Sequence, residues 1–221
     1  MDYKKFLPKP PAECRDPELF ELLNEYHFVR WHPDCVSQRE SLLRQILSPS
    51  ILARAETAVE DPYERLRQYA GELLIWARRE GAAPFILTLL DDSSDYVRGE
   101  TAKQLALIRC DQCVPKLMRM AREDSSAFVR GCAACGLGGQ DPFTAVPVLI
   151  GILDHDHEEC GNGHSPSSCA ATALDELMET EWTQKRYDGG LRGLNPAGVD
   201  LSALREQAIL FLEHLRQSRH V

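Results

Sequence analysis

Five residues with metal-ligating side chains crowd one short stretch of this 221-residue chain: His155, His157, Cys160, His164 and Cys169. Imidazole and thiolate are the groups zinc favours, usually four in a tetrahedron. Asp154, Asp156, Glu158 and Glu159 stand between them and could orient the imidazole rings as hydrogen-bond acceptors. Zinc is the cofactor this stretch would take, and a structural site would explain how so glycine-rich a loop stays ordered. The spacing H-x-H-x2-C-x3-H fits no named zinc pattern. The competing reading is a polar loop whose histidines coincide.

Two further cysteine pairs have CxxC spacing, Cys110/Cys113 and Cys132/Cys135. In redox enzymes that spacing opens a helix in a βαβ setting, and no such unit is legible here. The two pairs fall toward opposite ends of a helix, which makes a joint four-thiol site geometrically poor. Small-residue packing is the main reading for them, with the thiols reduced as in a cytosol. His27, His32 and Cys35 invite a nucleophilic Cys–His pair, but a helix junction fits Trp31-His32-Pro33-Asp34 better. No glycine loop of the phosphate-binding kind occurs. Gly136-Leu137-Gly138-Gly139 reads as the end of a helix.

The elements that must position these groups are repeated. Displaced by 32 residues, the segment from Asp92 falls on the one from Asp124. Asp92/Asp124, Val97/Val129, Arg98/Arg130, Gly99/Gly131, Ala102/Ala134, Leu105/Leu137, Pro115/Pro147 and Leu117/Leu149 are identical, among others. Average composition would give roughly two identities by chance. An earlier copy aligns Asp61, Arg67, Leu74 and Pro84 at an offset of 31. A later copy aligns Ala170, Ala171 and Leu174 with Ala133, Ala134 and Leu137 after an insertion. Within a unit, Ser94 or Asp95 can cap a helix, and Val97, Thr101, Leu105 and Ile108 make one apolar face. Pro115 suits the first turn of a second helix. Two helices cannot bury both faces alone, whereas stacked copies can. The expected fold is therefore all-α, an α-solenoid of stacked antiparallel helix pairs.

The pattern Asp-Ser-Ser-Asp-x-Val-Arg-x3-Ala-x2-Leu followed by Val-Pro-x-Leu resembles the short HEAT-like repeat of the phycobilisome-lyase type, well over residues 60–153 and weakly over 165–215. In that family the Asp and Arg form a ladder between neighbouring repeats. The resemblance implies that Asp92, Asp124, Arg67, Arg98 and Arg130 are structural, with a row of arginines for an anionic ligand as the other reading. It specifies a fold and leaves function open, because such repeats occur in scaffolds, adaptors and a few enzymes.

The expected organisation is an extended arm (1–11), a divergent N-terminal helical cap (12–60), three HEAT-like repeats (61–153) and an interrupted C-terminal repeat (154–221). The cap carries a helix from Asp16-Pro17 to about Arg30 with Leu19, Leu22, Leu23, Tyr26 and Val29 on one side. A second helix runs over Asp34–Leu47, with Val36, Leu42, Leu43 and Ile46, and Ser48-Pro49 starts a third. The last repeat is broken again over 180–199, with Trp182, Tyr187 and a glycine run at 189–193.

A net charge of −9 disfavours nucleic acid, whose phosphates attract Lys and Arg. It favours a basic protein partner, since opposite fields speed encounter. No segment is apolar enough to span a membrane. The first residues lack the apolar run of a signal peptide, so the expected location is cytoplasmic. With no catalytic constellation in view, the leading expectation is a non-enzymatic protein-binding module: a small bacterial scaffold or adaptor, or an immunity protein for a basic toxin. A zinc-binding HEAT-like protein is the alternative. A HEAT-scaffold enzyme of bilin-lyase or DNA-glycosylase kind stands behind it.

Overall fold

The computed structural model describes residues 7–30, 32–161, 164–179 and 200–218. Apart from one isolated antiparallel bridge between Gly161 and His164, the described residues are helices joined by turns. The chain is all-α, of the α-solenoid class. It divides into two compact units, residues 1–97 and 98–221. The expected arm at 1–11 falls partly outside the described residues, and the Trp182–Gly193 loop wholly so.

In the first unit, α1 (Pro17–Val29) starts where Asp16 accepts a hydrogen bond from the Leu19 backbone N–H at 3.0 Å. That bond satisfies one of the unpaired donors of a helix start. Leu19, Phe20, Leu23 and Val29 are its buried face, and Phe20 packs edge-on to Tyr63 and stacks on Tyr69. The second expected helix begins later than expected. Pro33–Cys35 form a 3-10 turn, and α2 runs Val36–Ile46 with Leu42 and Ile46 buried. Val36, expected on the apolar face, is exposed at the first position of α2. Then come α3 (Pro49–Ala58), α4 (Glu64–Arg78) and α5 (Ala83–Leu89). Helix α4 is the centre of this unit, packed by α1, α3 and α5.

The helix α6 (Asp95–Gln104) carries the chain into the second unit. It is shorter than the apolar spacing suggests: Leu105–Leu107 tighten into a 3-10 turn and Ile108 is extended. The backbone groups this exposes are met by a buried side chain. Gln140 Nε2 donates to the carbonyls of Leu105 (2.7 Å) and Ile108 (3.0 Å), and its Oε1 accepts from Cys110 N–H at 3.0 Å. Buried backbone polar groups need such partners.

Helix α7 (Val114–Glu123) has Pro115 in its first turn, as its rigid φ favours. Helix α8 (Ala127–Leu137) follows. In α9 (Pro142–His155) the start is set by Pro142, which leaves Pro147, the equivalent of Pro115, inside the helix. Helix α10 (Pro166–Leu177) opens with a capping box between Ser165 and Ser168, and α11 (Leu201–Ser218) buries Leu204, Ala208 and Leu212. Helix α8 packs on α7 and α10, and α9 packs on α10 and α11. Small residues permit this. A Cβ on Gly136 would lie 2.2 Å from the Ala102 carbonyl oxygen, so α8 meets α6 almost backbone to backbone. Gly136 thus serves close packing in the last turn of α8, which ends at Leu137 with Gly138 as its cap, as the glycine run suggested.

Candidate functional site

Three arginines at matching repeat positions each hold one aspartate through two parallel bonds. Arg67 Nε and Nη2 each lie 2.7 Å from the Asp92 carboxylate. Arg98 reaches Asp124 with both bonds at 3.0 Å. Arg130 reaches Asp156 at 2.6 and 3.2 Å and adds Glu158 at 2.5 Å. Each aspartate also belongs to a turn: Asp92 accepts from Ser94 N–H (2.8 Å) and Asp124 from Ser126 N–H (3.0 Å). The arginines reach back as well, Arg67 to the Asp61 carbonyl (2.7 Å) and Arg130 to the Asp124 carbonyl (2.8 Å). All three guanidinium groups are mostly buried. With their forks filled by carboxylates, they do not offer a row of vacant donors to an anionic ligand.

Asp156 was not expected in this set. It lies 32 residues after Asp124, the same offset that relates Asp124 to Asp92. The signal was present but masked by the metal-like composition around it. Asp156 therefore belongs to the repeat, and the insertion starts only after it.

The His/Cys stretch does not assemble as sequence chemistry suggested. His155 ends α9 exposed to solvent, and His157 is exposed too. His164 is engaged through its backbone: Cys160 N–H donates to its carbonyl (2.8 Å), and its own N–H donates to Gly161 (3.0 Å). Gly161 has φ +106°, a conformation that suits glycine. Among the described residues, no group of three or more His, Cys, Asp or Glu side chains has a geometry that could hold a metal ion.

Cys160 and Cys169 instead meet residues of α8. A Cβ on Gly131 would lie 3.2 Å from Cys169 Sγ and 3.4 Å from Cys160 Sγ. Both sulfurs rest on the bare backbone just before Cys132 and one turn before Cys135. Hydrogen bonding with Cys135 and Cys160, and then burial, pushes the Cys169 thiol well up. The bond from Cys169 lowers Cys160 to about 7 against the cost of burial; Asp156 opposes this and Arg130 assists. Cys135 is lowered by the same donor, with the Lys103 ammonium adding to it. Burial dominates at Cys132 and raises it. All four are free thiols.

The other candidates resolve differently. Cys110 and Cys113 are buried and joined by a disulfide, their Cα atoms 5.3 Å apart, where reduced packing residues were expected. The cause is local: a tight turn with Cys113 N–H on the Cys110 carbonyl (2.8 Å) brings them together. His32 stacks on Phe28 and its Nδ1 lies 3.0 Å from the Phe28 carbonyl. His27 stacks on Tyr69 and faces Glu72.

An open groove of about 630 Å³ lies between α1 and α2. Glu18, Glu21 and Glu25 form one wall, Ser37 and Ser41 the other, with Leu22 and Leu42 also lining it.

The repeated Asp/Arg pairs and close-packed helix pairs agree with the comparison to known families. The HEAT repeats family matches the chain twice, over residues 51–131 and 82–160. The chain is a HEAT-like repeat protein. The matches cover the regular helix pairs and do not single out the phycobilisome-lyase kind. No curated protein matches the chain. HEAT-like repeats are commonly scaffolds for protein–protein interaction, because stacked helix pairs present extended surfaces. No helix among the described residues is long and apolar enough to cross a membrane.

Proposed function

We propose that this HEAT-like protein is a non-enzymatic interaction module that binds a basic protein partner. The groove between α1 and α2 carries the reading. Glu18, Glu21 and Glu25 recur at helical spacing and so share one face of α1, beside the serines of α2. Leu22, only partly buried, offers apolar surface for the stems of Lys or Arg side chains, which bury their methylenes while keeping the charge wet. The net charge of −9 extends the same field beyond the groove and would steer a basic partner toward it.

The test is isolation of the tagged full chain from its native cell, identification of the bound protein and reconstitution of the pair. A basic partner is expected. Each exposed charge pair contributes about 0.2–1 kcal/mol, so Glu18→Gln, Glu21→Gln and Glu25→Gln together should weaken binding roughly tenfold. An affinity unchanged by the triple substitution would reject the groove as the binding surface.

A further inference from the structure

Helix α1 meets α4 through a closed set of three polar groups. Arg30 Nη1 donates to Glu72 Oε1 at 2.5 Å, and both side chains are mostly buried. The His27 ring lies against the same pair. Its Nε2 is 3.5 Å from Arg30 Nη2, and its Nδ1 is 3.7 Å from Glu72 Oε2. The ring stacks on Tyr69 with centroids 4.8 Å apart, and the Tyr69 hydroxyl donates to Asn24 Oδ1 at 3.2 Å. That stack keeps the two ring nitrogens aimed at the two charged groups.

A guanidinium nitrogen can only donate. The ring nitrogen that faces Arg30 is therefore the unprotonated one, and the ring hydrogen sits on Nδ1, toward Glu72. A second proton, taken from solvent by this partly exposed ring, can enter only at Nε2, where it meets the Arg30 N–H. One carboxylate would then face two cations, with the Arg65 charge of α4 adding to the repulsion. Arg39 of α2 reaches Arg30 at its backbone carbonyl (3.4 Å) and brings no acceptor. We propose that His27, Arg30 and Glu72 form an acid-released clasp, in which a proton on His27 moves Glu72 from Arg30 to the imidazolium and loosens α1 from α4.

Burial, and then the Arg30 charge, hold the His27 ring below its ordinary range, against the pull of Glu72. A histidine with a lowered folded pKa supports the fold fully above its unfolded value and loses that support as pH falls to the folded one. Release therefore begins below about pH 6.5. The clasp stands whether or not the groove between α1 and α2 holds a partner.

The stack of Trp76 on Tyr26, with centroids 6.4 Å apart, joins the same two helices and supplies the readout. The experiment uses the full-length chain carrying Trp31→Phe and Trp182→Phe, which leaves Trp76 as its one tryptophan. Trp76 emission should shift as pH falls through the His27 midpoint. Nitrogen NMR of the imidazoles follows that midpoint in parallel and should find the neutral ring protonated on Nδ1. His27→Gln should remove the emission step and identify the His27 signal. Arg30→Gln should raise the His27 midpoint by about one pH unit, and Glu72→Gln should lower it. The emission and tautomer readings need no clasp variant to fold. Emission that stays flat through the His27 titration, a neutral ring protonated on Nε2, or a midpoint that Arg30→Gln leaves in place would each overturn the clasp.

Discussion

Arg98 and Asp124 meet through two parallel bonds in a mostly buried setting, and Asp124 at the same time closes a turn through Ser126. Removing one partner strands the other away from water. We therefore expect Arg98→Ala to lower unfolding free energy by about 3 kcal/mol, measured by urea denaturation, and Asp124→Ala to cost a similar amount. A loss below about 0.5 kcal/mol would place the pair among exposed ion pairs of little consequence. The aspartates also set an acid limit. Burial raises Asp124, but the bonds from Arg98 and Ser126 and the nearby arginine charges outweigh it, so its carboxyl titrates below the usual range. The Arg54 bond does the same for Asp16. A carboxyl with a lowered folded pKa contributes stability above its unfolded pKa and loses it as pH falls through the folded one. Their contribution to stability should thus hold above about pH 4 and decline below it. The Asp124→Asn variant should show a shallower decline.

At the level of elements, glycine separates two kinds of helix contact. Gly136 meets the Ala102 carbonyl, whereas a Cβ on Gly151 in α9 would meet nothing within 4 Å. Gly136→Ala should destabilise by about 1–3 kcal/mol through overpacking. Gly151→Ala should stabilise by about 0.5–1 kcal/mol through helix propensity. Thermal melts of both variants check this, and equal shifts would contradict the packing account. The same elements show where sequence reading succeeds. Leu19, Leu23 and Val29 identified the buried face of α1, and Pro115 the start of α7, because both signals are local. The early end of α6 was hidden, since it depends on Gln140, some 35 residues away. Pro147 aligns with Pro115 yet sits inside its helix, because Pro142 already starts α9.

Across the whole molecule, the all-α repeat class was legible because a 32-residue period repeats the same packing positions. The setting of the late cysteines was only half legible. Cys160 and Cys169 stood out by type, but their approach to Gly131 depends on the packing of α8 on α10, which leaves no spacing signal. The proposed partner surface had only net charge behind it in the sequence, because the shared face of Glu18, Glu21 and Glu25 beside α2 depends on how the two helices pack. Binding through that groove is the central claim, and its most direct measurement is the affinity for the identified partner as salt is raised. Charge-steered binding is screened over about 10 Å at 0.1 M salt. The account predicts affinity that falls steeply with salt in the native protein, and falls much less after Glu18, Glu21 and Glu25 become glutamine. Equal salt dependence in the two proteins would contradict it.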